Sequence, residues 1–401
     1  MQQPLISVAL AYETLLRACP DWGQEELPLA QALGRVLHVP ILADRDAPPF
    51  PRVAMDGVAL AVSSWEAGIR RYRVAGVQAA GDPPGRRAAP DSVLEVMTGA
   101  VLPEGCDCVI PVEELVRDGE WVELHPIQEP RLMQHVHAQG SDARAGAELL
   151  PTGCRLDSPA LAVAAGAGAH TVSVRRRPNV ALLSTGNELV PVDAAPTPWQ
   201  IRASNLCALE AALRAAGHAP QRARLVDDDP GRLGAAIALA LDEQELLILS
   251  GGVSMGRFDH VPALLAEAGG RLLVHGVAQR PGKPLLVMDF PDRPGRLAVG
   301  LPGNPVSALI CLHRYVLPLL DTAEGRERSV WRLPVPDEPT PPRGLTMFLP
   351  ASLEADAFGG PQARLRPVAG SGDFIRLAGS AGFVEVDDAP AGTPRRFFPW
   401  R

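Results

Sequence analysis

Lysine is nearly absent from this chain. It occurs once in 401 residues, at Lys283, and every other basic side chain is Arg. A background that disfavours Lys this strongly makes the survivor informative. A site that needs a compact ammonium against an oxyanion does not accept the broad planar fork of Arg. Chance survival is the plain alternative. Other absences narrow the function further. The cysteines Cys19, Cys106, Cys108, Cys154, Cys207 and Cys311 include no C-x-x-C pair, and no His pair has zincin spacing, so they read as free thiols in a reducing compartment. There is no G-x-x-x-x-G-K-[ST] loop and no G-x-G-x-x-G fingerprint, which removes most support for ordinary NTPases and dinucleotide dehydrogenases. A surplus of positive charge is also missing. The net charge of -8 speaks against a general nucleic-acid binder, and the one tight basic run, Arg175-Arg176-Arg177, reads as a solvated loop before a strand. No apolar run reaches membrane-spanning length and no charged-then-apolar leader is visible, so a cytoplasmic protein without membrane or nucleic-acid partners is expected.

What is present centres on Ser250-Gly251-Gly252-Val253-Ser254-Met255-Gly256-Arg257-Phe258-Asp259. The apolar run Leu246–Leu249 precedes it as a buried strand, and His260–Ala268 follows with helical spacing. Glycines let backbone N–H groups approach a ligand closely, and a helix N-terminus favours anions. An ordinary βα turn is the competing reading. Two further turns of this kind weigh against it: Ser184-Thr185-Gly186-Asn187-Glu188 after the strand at Val180, and Gly300–Ser307 after the strand at Leu297. In an open parallel sheet all three fall on the carboxyl edge, where ligands bind.

The rest of the chain frames this module. Residues 5–19 read as an amphipathic helix. Gln24–Ile41 is expected to continue helical, with Leu29, Leu33, Val36 and Leu37 on one stripe. From Ala47-Pro48-Pro49-Phe50 to about Gln139 the text is rich in short strands and turns. There Asp56 and Thr98 are candidates for a second face of a site, although each alone is ordinary turn chemistry. Ser158-Pro159 marks a helix start. From about Arg177 to Leu320 strands and helices alternate, which predicts a doubly wound parallel αβ sheet. Within it Asp227-Asp228-Asp229 holds more acid than one helix cap needs. The residues after about Ser329 are β-rich again.

The αβ edge thus gathers glycine-rich backbone, Lys283 and the acids Glu188, Asp228 and Asp259. Hard oxygen ligands of this kind suit Mg²⁺ bridging substrate phosphates, and backbone N–H groups with one Lys cradle an oxyanion. Phosphate chemistry with a divalent metal is the reading of these residues.

An ordered set of motifs resembles the molybdopterin molybdenumtransferases, the MoeA type of bacteria, related to the E domain of gephyrin. The set comprises Pro48-Pro49-Phe50, Ala54-Met55-Asp56-Gly57, Met97-Thr98-Gly99-Ala100, Ser184-Thr185-Gly186-Asn187-Glu188, Ser250-Gly251-Gly252-Val253-Ser254, Pro281-Gly282-Lys283-Pro284, Leu301-Pro302-Gly303-Asn304-Pro305-Val306-Ser307 and Ser371-Gly372. The resemblance implies the last step of molybdenum cofactor synthesis, in which molybdate enters the dithiolene of adenylylated molybdopterin with Mg²⁺-dependent release of AMP. It implies a multidomain α/β fold. Residues 5–23 with 177–325 would form the molybdopterin-binding αβ module, 24–42 with 144–176 an elongated dimerisation and linker domain, 43–143 an inserted β-rich domain, and 326–401 a small β-barrel-like domain. It implies a homodimer in which Asp56, Thr98 and Asp142 of one subunit meet Glu188, Asp228, Asp259 and Lys283 of the other as catalytic residues. Glu188 and Asp228 would handle the metal. Ser184, Thr185, Gly186, Ser250, Gly251, Gly252, Ser254, Arg280, Pro302, Gly303, Asn304, Ser307 and Ser371 would bind substrate, phosphate or molybdate. A molybdopterin adenylyltransferase and molybdoenzyme maturation factors are implied partners. The chain departs from the family pattern at Pro51, Arg52, Val53, His137 and Ser141, and where a Lys and an Arg are common it has Gly276 and Pro350. These departures raise two alternatives: a diverged molybdopterin-binding scaffold or carrier, and the sister adenylyltransferase that shares the αβ module.

Overall fold

The structure, a computed structural model, describes residues 5–125, 129–254, 256, 259–326, 329–356, 358–366 and 370–400. They fall into two compact units. One comprises the residues up to Glu25 and from Arg175 onward, the other Glu26–Val174.

The first unit opens with α1 (Val8–Arg17), capped by Ser7, whose side chain accepts from Leu10 N at 3.2 Å. It buries Val8, Ala11 and Leu15, the spacing of one helical face. Next come β1 (Val180–Thr185), α2 (Ser204–Ala215), β2 (Arg222–Val226), α3 (Pro230–Glu243), β3 (Leu246–Ser250), α4 (Val261–Glu267), β4 (Arg271–His275), β5 (Gln279–Arg280), β6 (Leu286–Asp289) and β7 (Leu297–Leu301). A long helical stretch then runs as α5 (Pro305–Cys311), a π-helical turn (Leu312–Val316) and α6 (Leu317–Ala323). By length and composition it is apolar enough to cross a membrane, but most of it is buried inside this unit.

The main sheet has the order β2-β1-β3-β7-β6-β4. Alternation along each strand serves both faces. Val180, Leu182, Leu246, Ile248, Leu297 and Val299 pack with α1, α2 and the α5–α6 stretch. Ala181, Leu183, Leu247, Leu249 and Ala298 pack with α3 and α4. The module is therefore doubly wound, as expected, but the sheet is not wholly parallel. β2, β1, β3 and β7 run parallel, whereas β6 is antiparallel to both β7 and β4. No helix separates β4 from β6, and without a crossover the returning chain pairs antiparallel.

The last part of this unit is a second sheet. β8 (Trp331–Leu333), β9 (Thr346–Ala355), β10 (Pro361–Leu365), β11 (Gly382–Val386) and β12 (Arg395–Pro399) are joined by β5, in the order β5-β9-β11-β12-β8 with β10 against β9. Gln279 and Arg280 pair with Thr346 and Met347, so the chain segment leading to Lys283 is stitched into this sheet.

The basic run is not a solvated loop. Arg176 lies 2.5 Å from Glu245 and donates to Trp22 O, and Arg177 lies 3.1 Å from Glu324. Glu324 is fully buried, with His218 Nε2 at 2.8 Å and Arg326 at 2.7 Å. A buried carboxylate needs such partners around it, and the run supplies one of them, Arg177.

In the second unit six strands form a sheet in the order Cys108–Pro111, Gly57–Leu60, Ser92–Val96, Arg71–Gln78, Trp121–Leu124, Leu115–Asp118. Val58, Leu60, Tyr72, Val93 and Ile110 pack on one face, and Val53, Ala59, Val96, Ala100 and Val109 form a separate cluster. The predicted helix over Gln24–Ile41 is absent. Gln24–Pro28 is a strand paired with Thr171–Arg175, and Leu29–Gln31 is a single 3₁₀ turn. Pro28 disfavours a helix before it, and Gly34 at φ +76° ends any continuation. The apolar residues read as one stripe separate, with Leu37 buried and Leu33 exposed. Helix Ser158–Gly166 forms where expected, with Asp157 accepting from Ala160 N at 2.9 Å.

Candidate active site

The strands β1, β3 and β7 are hydrogen-bonded neighbours in parallel register, so Thr185, Ser250 and Leu301 end side by side. The three glycine-bearing turns leave from that edge and line one open cleft of about 1800 Å³. Ser184, Thr185, Gly186, Glu188, Asp228, Ser250, Gly251, Gly252, Ser254, Asp259, Arg280, Lys283, Pro302, Gly303, Asn304, Ser307 and Ser371 all line it. Met255, Arg257 and Phe258 of the central stretch lie outside the described residues.

Close approach explains the central glycine. A Cβ on Gly251, at φ +95°, would lie 2.3 Å from Thr185 O. The turn after β3 therefore folds flat against the end of β1. The Glu188 carboxylate lies over Gly186, where a Cβ would meet both its oxygens at 2.8 Å.

The acids divide their roles. Asp229 caps α3 by accepting from Arg232 N at 2.9 Å, and Asp227 pairs with the Arg232 guanidinium at 2.5 Å. Asp228 is left for the cleft. It accepts from Thr185 Oγ1, and its N–H donates to Asn187 Oδ1 at 3.2 Å. Asp259 Oδ2 accepts from Gly256 N at 2.7 Å and so braces its own loop. Arg280 and Lys283 line the same cleft, both exposed. Among the described residues neither side chain has a hydrogen-bond or ion-pair partner. The cleft thus carries two cations that no described acid pairs with directly, which leaves their donors open to an anion. Asn304 Nδ2 donates to Ser371 Oγ at 2.8 Å, and Val306 N to Ser371 O at 3.1 Å, so Ser371 sits against the start of α5.

Asp56, Thr98 and Asp142 belong to the second unit. Thr98 Oγ1 and N both donate to Asp56 Oδ1 at 2.7 Å, and these bonds hold the carboxyl below its usual range. Asp142 Oδ1 accepts from Ser141 Oγ at 3.1 Å.

Sequence reasoning missed several lining residues. Asn205 donates to Ser250 Oγ at 3.0 Å and to Gly303 O at 2.7 Å, bridging two of the turns. Arg202 adds a cation, and Met347, Phe348, Leu349 and Phe374 form an apolar wall. None sits in one of the three glycine-bearing turns at the sheet edge. The wall comes from residues distant in sequence.

A family model described as "MoeA N-terminal region (domain I and II)" matches residues 6–168, and one described as "Probable molybdopterin binding domain" matches 181–322. A Synechocystis sp. molybdopterin molybdenumtransferase is 38% identical over 402 residues, covering 99% of this chain and 100% of that protein. The chain belongs to the molybdopterin molybdenumtransferase family. A Nostoc sp. relative of the same name is 35% identical over 75% of this chain and 70% of its own length. The crystal structure of a molybdopterin biosynthesis MoeA protein from Pyrococcus horikosii superposes with a TM-score of 0.82 at 29% identity, covering 99% of this chain and 100% of that one. The MoeA-type fold extends over the whole chain. At Gly276, where the family commonly has Lys, the backbone is at φ +92° in the tight connection between β4 and β6. Glycine adopts that conformation without strain.

Proposed function

We propose that the cleft binds adenylylated molybdopterin and molybdate, and that this transferase inserts molybdate into the dithiolene with release of AMP. The observation that carries this reading is the pair Arg280 and Lys283, without an ion-pair partner among the described residues, lining the same cleft as Glu188 and Asp228. Lys283 and Arg280 hold phosphate or molybdate oxygens, with the Ser250-Gly251-Gly252 backbone as further donors. Asn304, Ser307 and Ser371 bind at the α5 end.

Glu188 and Asp228 are the residues that would hold Mg²⁺. Among the described residues no three or more Asp, Glu, His or Cys side chains are grouped so as to hold a metal ion by themselves. That donor set fits Mg²⁺, which is commonly held by one or two carboxylates plus substrate phosphate and water. When bound, Mg²⁺ would neutralise phosphate charge as AMP departs. Asp228 is oriented for this by Thr185 and Asn187.

The active assembly we propose is a homodimer in which a partner subunit contributes Asp56, Thr98 and Asp142. We place the reaction in the cytoplasm, in keeping with cysteines that are all free. An adenylyltransferase supplying the substrate and molybdoenzyme maturation factors taking the product are its proposed partners. The test is incubation of the purified protein with adenylylated molybdopterin, Mg²⁺ and molybdate. Molybdate-dependent AMP release is the expected result. Tight binding without release would favour a carrier instead.

A further inference from the structure

Gln279 is buried, with 2% of its surface exposed, yet it opens a segment that carries two exposed cations. Arg280 follows it directly, and Lys283 comes after Pro281 and Gly282. Every polar atom of its amide is used. Oε1 accepts from the hydroxyl of Tyr315, itself fully buried. Nε2 donates to Gly282 O at 3.0 Å and Pro281 O at 3.3 Å, and lies 3.4 Å from Cys311 Sγ. The Cys311 thiol also reaches Gly282 O at 3.7 Å. The packing admits nothing more: a Cβ on Gly282, at φ +96°, would lie 2.6 Å from Gln279 Nε2 and 2.7 Å from Cys311 Sγ.

Tyr315 stands in the π-helical turn Leu312–Val316. A π turn adds a residue to the helical repeat and changes which side chains face a given neighbour, and such turns recur at functional sites. Here the turn carries the tyrosine that meets the Gln279 carbonyl.

We propose that Gln279, held by Tyr315, is a positioning residue for the anion-binding loop. Its Nε2 turns the carbonyls of Pro281 and Gly282 inward. Two carbonyl dipoles facing the cleft would oppose an oxyanion; facing Gln279, they leave the cleft to Arg280 and Lys283. The loop is thereby organised before the ligand arrives, which spares the cost of ordering it on binding. This rests on the proposed reading of the cleft as an oxyanion site.

The single lysine supplies a direct probe. Reductive ¹³C-methylation keeps the charge and labels Lys283 as the only side-chain amine. Its NMR signal can be titrated with molybdate alone, alongside molybdate-dependent AMP release. In Gln279→Met, which matches the shape but removes both ends of the amide, the molybdate affinity of the labelled Lys283 and the KM for molybdate are expected to worsen about tenfold, with a smaller change in kcat. Tyr315→Phe is expected to move both the same way, about threefold. The double variant is expected to be no worse than Gln279→Met, because the hydroxyl acts through the amide. A loss confined to kcat or to the folded fraction, or additive losses in the double variant, would overturn the positioning role. If Gln279→Met unfolds the protein, Tyr315→Phe alone decides: unchanged molybdate affinity overturns the proposal. A wild type whose Lys283 signal follows molybdate without AMP release would refute the proposed reaction and still read the positioning role. One that shows neither would refute both.

Discussion

Thr185 Oγ1 donates to Asp228 Oδ1, joining the last residue of β1 to the acid just beyond β2. Thr185 pairs in register with Val226, so the hydroxyl reaches an acid two residues further along the neighbouring strand. Thr185→Val keeps the shape and the strand preference but removes the donor. Orienting partners of metal-binding carboxylates are typically worth 10–100-fold in affinity, so the Mg²⁺ concentration for half-maximal AMP release is expected to rise about tenfold. A Mg²⁺ titration of the two proteins checks it, and an unchanged midpoint would separate Asp228 from the metal.

Lys283 lines the cleft with no side-chain partner among the described residues. Lys283→Ala is expected to lower molybdate-dependent AMP release about 100-fold, the scale for removing one preorganised donor to a charged group. Lys283→Arg keeps the charge but spreads it over a planar fork, and is expected to recover only part of the loss. Steady-state kinetics of both variants would show it, and full activity in Lys283→Arg would mean that bare charge suffices.

Gly251 is constrained by φ +95° and by Thr185 O. Gly251→Ala places a methyl group 2.3 Å from that carbonyl, so the turn must move. A stability loss of about 1–3 kcal/mol is expected from the backbone conformation, together with loss of AMP binding. Denaturant unfolding and calorimetric titration with AMP measure the two effects.

Glu324 links stability to pH. Burial by itself would raise its pKa, but contact with His218 and the charges of Arg326 and Arg177 outweigh it and lower the pKa from 4.5 to about 2. The unfolded chain therefore takes up the proton first, and stability present above about pH 4.5 is lost as pH falls towards 2. His218 acts in the same direction, because burial lowers its pKa from 6.5 and the unfolded state again binds the proton first. Glu324→Gln is expected to cost about 3 kcal/mol near neutrality, by leaving buried cations unpaired. The difference from wild type should narrow below about pH 4.5. Urea unfolding at several pH values tests this, and a constant difference would remove Glu324 from the acid response.

Asp56 and Lys283 are expected to complement each other between subunits. Asp56→Ala and Lys283→Ala proteins should each be inactive alone. If the proposed homodimer forms, random pairing of equal co-expressed amounts would make half the dimers mixed, each with one complete site, so about a quarter of wild-type activity should return. No recovery in purified mixed dimers would show that the second-unit residues do not complete the cleft in trans.

Much of the αβ module was legible because its signals are local. The apolar runs at Val180, Leu246 and Leu297 form strands whatever surrounds them, and the glycines after them mark turns that lie on one edge once the strands are parallel. Lys283 stood out by rarity alone. Other features depended on partners distant in the chain. Gln24–Pro28 carries helix-compatible residues, but Pro28 and pairing with Thr171–Arg175 make it a strand. Arg176 and Arg177 resemble surface charges until Glu245 and Glu324 are placed beside them.

The strand-turn-helix periodicity, the three turns and the candidate phosphate- and metal-binding residues were legible in the chain alone, because each follows from side-chain spacing and backbone freedom within a few residues. Long-range packing set the antiparallel run of β6, the choice of Asp228 over Asp227 and Asp229 for the cleft, and the meeting of Gln279 with Tyr315 beneath the basic loop. Each of these depends on contacts between segments far apart in the chain, set by how the strands and helices pack.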